Sequence, residues 1–143
     1  MADAVPVAKL VQETDLKVFS GKEFMADRTV TVSDISRPGL ELTGYFRYYP
    51  SNRIQLFGKT EISFSKGMTP DELSVVLGRM ATAETPAFLV SRGYEPPAEM
   101  ITEANRAKLP VLGSPLPTSR LSSVVTEFLE EELAERRSMH GVL

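Results

Sequence analysis

Ser36 and Arg37, directly ahead of Pro38-Gly39, are the residues of this chain best suited by type to hold an anion. Arginine offers a planar, bidentate donor fork and serine a hydroxyl. Proline presets φ and glycine tolerates positive φ, so Pro38-Gly39 predicts a turn. That puts Ser36 and Arg37 on a loop at the end of a strand, where a rigid scaffold commonly presents binding residues. A purely structural turn network between Asp34 and Arg37 is the alternative. Gly58-Lys59-Thr60 invites comparison with a phosphate-binding P-loop, but that loop needs a further glycine five residues before the Gly-Lys pair. Arg53 stands there, so Gly58 is read as a strand end with Lys59 exposed. Tyr45-Phe46-Arg47-Tyr48-Tyr49, with Arg53, interleaves aromatics and cations as nucleic-acid platforms do. The acidic balance of the chain favours aromatic packing under extended arginines instead, with a protein–protein surface as the intermediate reading. His140 is the one histidine. It titrates near neutral pH, and beside a glycine it is on its own an ordinary surface or strand-end residue.

The composition excludes several chemistries. No cysteine is present, which removes disulfides, thiolate catalysis and thiolate metal sites. With one histidine, a histidine-cluster metal site would need several chains. A net charge of −3 does not fit a general binder of nucleic acid or anionic membrane. No apolar run approaches the roughly 20 residues that span a bilayer. The amino terminus lacks the basic start and apolar stretch of a signal peptide, so the expectation is a cytoplasmic protein. A chain of 143 residues is one domain, or one domain with a short extension.

The elements that must position these residues are legible in part. Val7 to Val11 reads as a short helix, Leu16 to Phe19 as a strand and Thr29 to Val32 as a β-branched strand. Leu40 to Phe46 fits a short helix or a strand, and Lys59 to Ser65 fits either as well. Arg53 to Phe57 is a strand. Thr69-Pro70-Asp71-Glu72 is a strong helix start, with a capping threonine, proline at the first helical position and glutamate three residues after the cap. Leu73, Val76, Leu77 and Met80 continue it as one apolar stripe. Ala87 to Val90 and Pro110 to Gly113 read as short buried strands, with a helix over Glu99 to Lys108 between them. A last helix over Arg120 to Glu135 sets Leu121, Val124, Val125, Phe128, Leu129 and Leu133 against a solvated acidic face. The alternation from residue 69 onward predicts an α/β layered sandwich with a mixed, partly parallel sheet.

Four segments carry a family resemblance: Ser33 to Phe46, Arg53 to Gly58, Glu84 to Gly93, and Arg136 to Leu143. Together they resemble the amino-terminal part of HPr kinase/phosphorylase, the bacterial enzyme that phosphorylates and dephosphorylates a serine of the phosphocarrier HPr in carbon-catabolite control. The likeness runs over essentially the whole chain. It implies a cytoplasmic parent enzyme that uses ATP and magnesium, acts on HPr and assembles as a homo-hexamer, with no nucleic-acid or membrane partner. It also implies a fold similar to the amino-terminal domain of the Mur ligases, whose Asp-Ser-Arg element at a uridine-nucleotide site Asp34, Ser36 and Arg37 resemble loosely, with Ile35 interposed.

On this resemblance, residues 1–135 form a non-catalytic α/β domain for regulation or assembly, and residues 136–143 begin an absent P-loop kinase domain. His140 in its His-Gly-Val-Leu setting is then an active-site residue beside the nucleotide. The phosphate-binding lysine, magnesium-ligating serine and acid/base aspartate belong to sequence outside the chain, so no cofactor and no activity are expected of these residues alone. From the residues alone the apolar ending at Val142 and Leu143 could equally dock on the core, and the resemblance implies a chain cut at that start. The alternative reading is a free-standing module that holds a nucleotide-like or phosphorylated metabolite through Ser36 and Arg37. A third is an interaction domain that uses the patch from Tyr45 to Tyr49.

Overall fold

The computed structural model describes the backbone of residues 3–140 and the side chains of residues 3–138. Val5–Pro6 (β1) leads into Val7–Thr14 (α1), Lys17–Ser20 (β2) and a 3-10 turn at Lys22–Phe24. Thr29–Val30 (β3), Ile35–Ser36 (β4), Gly39–Leu42 (α2) and Ile54–Phe57 (β5) follow. Then come Lys59–Lys66 (α3), Pro70–Met80 (α4), Phe88–Val90 (β6), Ala98–Arg106 (α5), Val111–Gly113 (β7) and Thr118–His140 (α6).

The main sheet has the order β2-β7-β6-β5-β4. β4, β5, β6 and β7 run parallel, and β2 joins β7 antiparallel at one edge. The expectation of an α/β fold with a mixed, partly parallel sheet therefore holds, and the sheet is mostly parallel. Parallel neighbours need crossover connections, and the helices between strands supply them. Strand alternation divides the core in two. Ile54, Leu56, Leu89 and Leu112 face α1 and α6, where they meet Leu10, Leu121, Val125 and Leu129. Phe57, Phe88, Val90 and Val111 face the other side, with Leu73, Leu77, Met80 and Met100. Both faces of the sheet are covered, so β5, β6 and β7 read as continuous apolar runs. Phe57 and Phe88 meet edge-on at 5.5 Å between ring centres, an arrangement worth about 1 kcal/mol beyond area burial.

Several elements differ from the sequence expectation. The strand expected over Thr29 to Val32 stops at Val30 and pairs with β1 in a separate two-stranded ribbon. The loop expected from Ser36 does not begin there, because Ile35 and Ser36 pair with Ile54 and Gln55 and extend the sheet. Pro38-Gly39 is not a positive-φ turn. Pro38, at φ −84° and ψ 48°, centres a tight inverse γ-turn closed by Gly39 N–H to the Arg37 carbonyl at 2.9 Å. Helix α2 starts at once, which settles Gly39–Leu42 as helical. Helix α3 likewise settles Lys59–Lys66, where side-chain periodicity fitted two forms. The terminal helix is longer than expected at both ends. It passes without a break through Arg136, whose Nε donates to Glu132 one turn earlier at 3.2 Å.

Candidate functional site

Parallel strands point their carboxyl ends the same way, and in open α/β sheets the crevice outside those ends is where ligands bind. Here β4 ends at Ser36, β5 at Phe57, β6 at Val90 and β7 at Gly113. The residues that follow are Arg37, Gly58, Ser91 and Ser114, so the sheet ends in a polar line that no local stretch of sequence displays.

Gly58 lies at its centre. A Cβ there would sit 2.7 Å from Thr118 Oγ1 and 2.8 Å from Arg37 Nη2. Glycine is therefore required for the start of α6 and the Arg37 guanidinium to share that space. Glu61, on the first turn of α3, reaches back over it. Its Oε1 accepts from Gly58 N–H at 2.6 Å, from Arg37 Nη2 at 2.7 Å and from Arg37 Nε at 2.9 Å. The carboxylate is buried and the arginine is half-exposed. The acid is thereby satisfied where an unpaired charge would be costly, and the fork of Arg37 is held in one orientation. On the far side of Gly58, Thr118 Oγ1 and Ser91 Oγ share a buried hydrogen bond of 2.6 Å. Arg92 follows in the left-handed region at φ 62°, with Gly93 at φ 70°. Arg92 N–H donates to the Leu116 carbonyl at 2.8 Å and Gly93 N–H to the Ser114 carbonyl at 2.9 Å, which fixes the turn. A non-glycine residue held at positive φ costs about 1 kcal/mol or more and persists where its surroundings over-determine it.

Of the residues singled out from sequence, Arg37 reaches this site and Ser36 stands immediately before it, buried in the last pair of β4. Arg37 pairs with Glu61, not with Asp34. The side chain of His140 lies outside the described residues. Gly58-Lys59-Thr60 passes directly from β5 into α3, leaving no loop to wrap a phosphate, and Lys59 is exposed. Among the described residues no group of three or more histidine, aspartate or glutamate side chains could hold a metal. These residues do not fit an ATP–magnesium site.

The aromatic patch divides. Tyr49 turns inward, where its hydroxyl donates to the Met80 carbonyl at 2.6 Å and burial raises its pKa. Phe46 packs edge-on against it at 5.5 Å, with the Arg79 guanidinium 4.0 Å from the Phe46 ring centre. Tyr45 and Tyr48 stay exposed.

Glu61, Ser91 and Thr118 escaped sequence reasoning, and Gly58 was read only as the end of a strand. Glu61 is 24 positions from Arg37, and Thr118 is 27 from Ser91. The one local signal was Glu61 placed three residues after Gly58, the spacing of a helix start whose glutamate returns to the cap N–H.

Comparison with known proteins gives a consistent result. Residues 5–129 match the family model described as HPr Serine kinase N terminus. The whole chain is 66% identical to the HPr kinase/phosphorylase of Lacticaseibacillus casei strain BL23, of which it covers 45%. It is 57% identical to the protein of that name from Latilactobacillus sakei strain 23K, of which it covers 46%. For the Levilactobacillus brevis protein the identity is 54%, again with 46% of that protein covered. The chain thus spans less than half the length of these relatives.

Proposed function

The chain belongs to the family of HPr serine kinase amino-terminal domains, and on that premise we propose that it is the non-catalytic domain of a bifunctional HPr kinase/phosphorylase. In this reading the whole protein phosphorylates and dephosphorylates a serine of HPr in the cytoplasm and assembles as a homo-hexamer. The observation that carries it is 66% identity maintained across all 143 residues. The site geometry agrees with a supporting role. Glu61 is committed to Arg37 and Gly58, and Ser91 to Thr118. ATP and magnesium would then be held by the remaining length of the parent. Residues 136–143 would open that part, with His140 beside the nucleotide. The domain itself would serve regulation or assembly on a scaffold of the Mur ligase amino-terminal type.

Phosphoryl transfer needs a cradle and a metal to position and neutralise the γ-phosphate. The 143-residue chain, incubated with HPr, ATP and magnesium, is therefore expected to give no phosphoserine HPr. The same chain joined to the remaining portion of the Lacticaseibacillus casei protein is expected to give it. Turnover by the isolated chain would overturn the division of labour, and an inactive fusion that is folded and binds ATP would overturn the kinase reading.

A second reading has one specific observation behind it. Arg37 is half-exposed at the carboxyl end of a parallel strand, and Glu61 holds its guanidinium in one orientation close against Gly58. That is suitable for an anion such as the phosphate of a metabolite. Inorganic pyrophosphate titrated by NMR should shift the amides of Gly58 and Arg37, and Arg37→Ala should abolish the shift. Unchanged spectra would remove this reading. The substitution also leaves buried Glu61 short of two donors, at a cost of about 1–3 kcal/mol in urea unfolding.

A further inference from the structure

The carboxyl edge of the sheet carries a concentration of basic side chains. Arg37 follows β4, Lys59 follows β5 by way of Gly58, and Arg92 follows β6 by way of Ser91. Neighbouring strands lie about 5 Å apart, so these cations start from adjacent points along one line. Arg120 joins them from α6, because Thr118, two residues before it, meets both Ser91 and the space over Gly58. Arg37, Lys59, Arg92 and Arg120 are all exposed. Glu61 is the acid set among them, and it is buried and given to Arg37. Lys59, Arg92 and Arg120 have no ion-pair partner among the described residues. The chain as a whole carries a net charge of −3, so this uncompensated positive charge runs against its balance. Two of the cations also stand where they oppose the local field. Lys59 opens α3, and Arg120 lies in the first turn of α6, a helix with no acid in that turn. The positive end of a helix dipole favours acids and disfavours bases. A partner that brings negative charge to this edge relieves both the dipoles and the mutual repulsion of the cations.

The form of this edge points to the kind of partner. The cavities lined by α2 and α4, by Arg28, and by the later turns of α6 lie elsewhere, and none of the four cations lines them. The cations offer an exposed rim, not the concave pocket that encloses a small molecule. Nucleic acid does not suit the rim either. Single strands stack on exposed aromatic rings, and those of Tyr45, Tyr48 and Phe64 belong to the loop before β5 and to the later part of α3. A long phosphate backbone would also run onto Glu127, Glu130 and Glu131, exposed on α6 from about 14 Å beyond Thr118. A short acidic stretch of protein has the matching charge and stays within the rim, since five extended residues span about 17 Å. Its carboxylates are the groups that an arginine fork receives with two parallel hydrogen bonds.

We infer that Arg37, Lys59, Arg92 and Arg120 form a docking surface for an acidic segment of a partner protein. The inference goes beyond the metabolite reading, with which it shares Arg37, and makes no use of the kinase reading.

The probe is a fluorescein-labelled hexaglutamate peptide, followed by anisotropy as the 143-residue chain is added at low and at physiological salt. It should bind saturably and weaken as salt rises. Lys59→Glu, Arg92→Glu and Arg120→Glu should each weaken binding about fivefold or more, because each sets a like charge against the peptide. Lys22→Glu and Arg47→Glu make the same change of net charge at exposed cations elsewhere, and should leave binding within about twofold of the original. Arg120→Glu should also raise the thermal midpoint by about 1–3 °C, since an acid then replaces a base at the start of a helix. No binding at low salt, equal losses for the rim and the control reversals, or tighter binding of an oligothymidylate of the same charge overturns the inference. So does a lower thermal midpoint for Arg120→Glu, which would give that cation a structural role. Pyrophosphate shifts at Gly58 and Arg37 without peptide binding overturn this inference alone. Peptide binding without those shifts removes the metabolite reading alone.

Discussion

Among the described residues, Arg28 is the most heavily bonded side chain. Its guanidinium donates to the carbonyls of Thr82, Ala83 and Thr85 through Nη1, of Lys108 through Nε and of Ala107 through Nη2. The first set lies in the loop that follows α4 and the second just past the end of α5, so one cation ties together the exits of two helices. It also sits at the negative ends of both dipoles. Arg28→Ala removes five charge-assisted bonds to partly exposed carbonyls, which water can partly replace. The expected loss is about 2–4 kcal/mol in urea unfolding with an unchanged m-value. Arg28→Lys should recover less than half, because a point ammonium does not span both helix ends as a planar fork does. Nothing in the Asp27-Arg28-Thr29 stretch discloses this role. The acceptors lie more than 50 positions away, and an arginine before a strand is in sequence terms an ordinary surface residue.

At the scale of elements, the helix over α4 was legible because its signals are local. Thr69 Oγ1 accepts from Glu72 N–H at 3.1 Å, and Glu72 returns to Thr69 N–H at 2.9 Å. The stripe of Leu73, Val76, Leu77 and Met80 is buried as its spacing required. Short strands were legible where an apolar or β-branched run marked them, as at β2, β5, β6 and β7, but not at the two-residue β1 and β4, which partners fix and periodicity does not. Ile35–Ser36 becomes a strand only because Ile54–Gln55 lies beside it. The edge strand β2 was expected from Leu16 to Phe19 and is found at Lys17–Ser20, and its register against β7 shifts between Val18 and Ser20. The chain then leaves through Gly21 at φ 79°, where a Cβ would fall 2.7 Å from Pro110 Cα and 2.9 Å from the Leu109 carbonyl oxygen. Both obstacles are backbone. Gly21→Ala should therefore cost about 2 kcal/mol or more, combining positive φ with a clash that no rotamer relieves. A thermal midpoint within 1–2 °C of the parent, about half a kcal/mol for a chain of this size, would show that this corner gives way.

At the scale of the whole molecule, α1 and α6 are clipped together across the length of the chain. Glu132 Oε1 accepts from Lys9 Nζ at 2.6 Å and from Arg136 Nε at 3.2 Å. The Lys9 hydrogen bond first, and then the charges of Lys9 and Arg136, hold the Glu132 carboxyl below its ordinary range against the effect of burial. Its folded pKa is depressed. The stabilisation is present in full above the unfolded value of about 4.3, and is lost as pH falls through the lower folded one. Glu132→Gln should lower stability by about 0.5–1 kcal/mol at pH 7, and the gap should close below about pH 4. A gap that persists at pH 3 would mean the clip works by packing and not by charge. In the proposed parent this clip matters further, because α6 is the element that continues past Arg136. Its hold on α1 would transmit the orientation of this domain to whatever follows.

The sequence by itself determined the class of the fold, the family, the cap and stripe of α4, and the absence of thiol chemistry. Each of these depends on residue type or on spacing within one or two turns, which the chain carries locally. Tertiary structure decided what the candidate site is made of. Arg37, Gly58, Glu61, Ser91 and Thr118 converge only because parallel strands bring their carboxyl ends to one edge, and parallel pairing joins residues separated by whole crossover connections. It also decided that Tyr49 faces inward while Tyr48 faces out, a choice made by the Met80 carbonyl and the Phe46 ring.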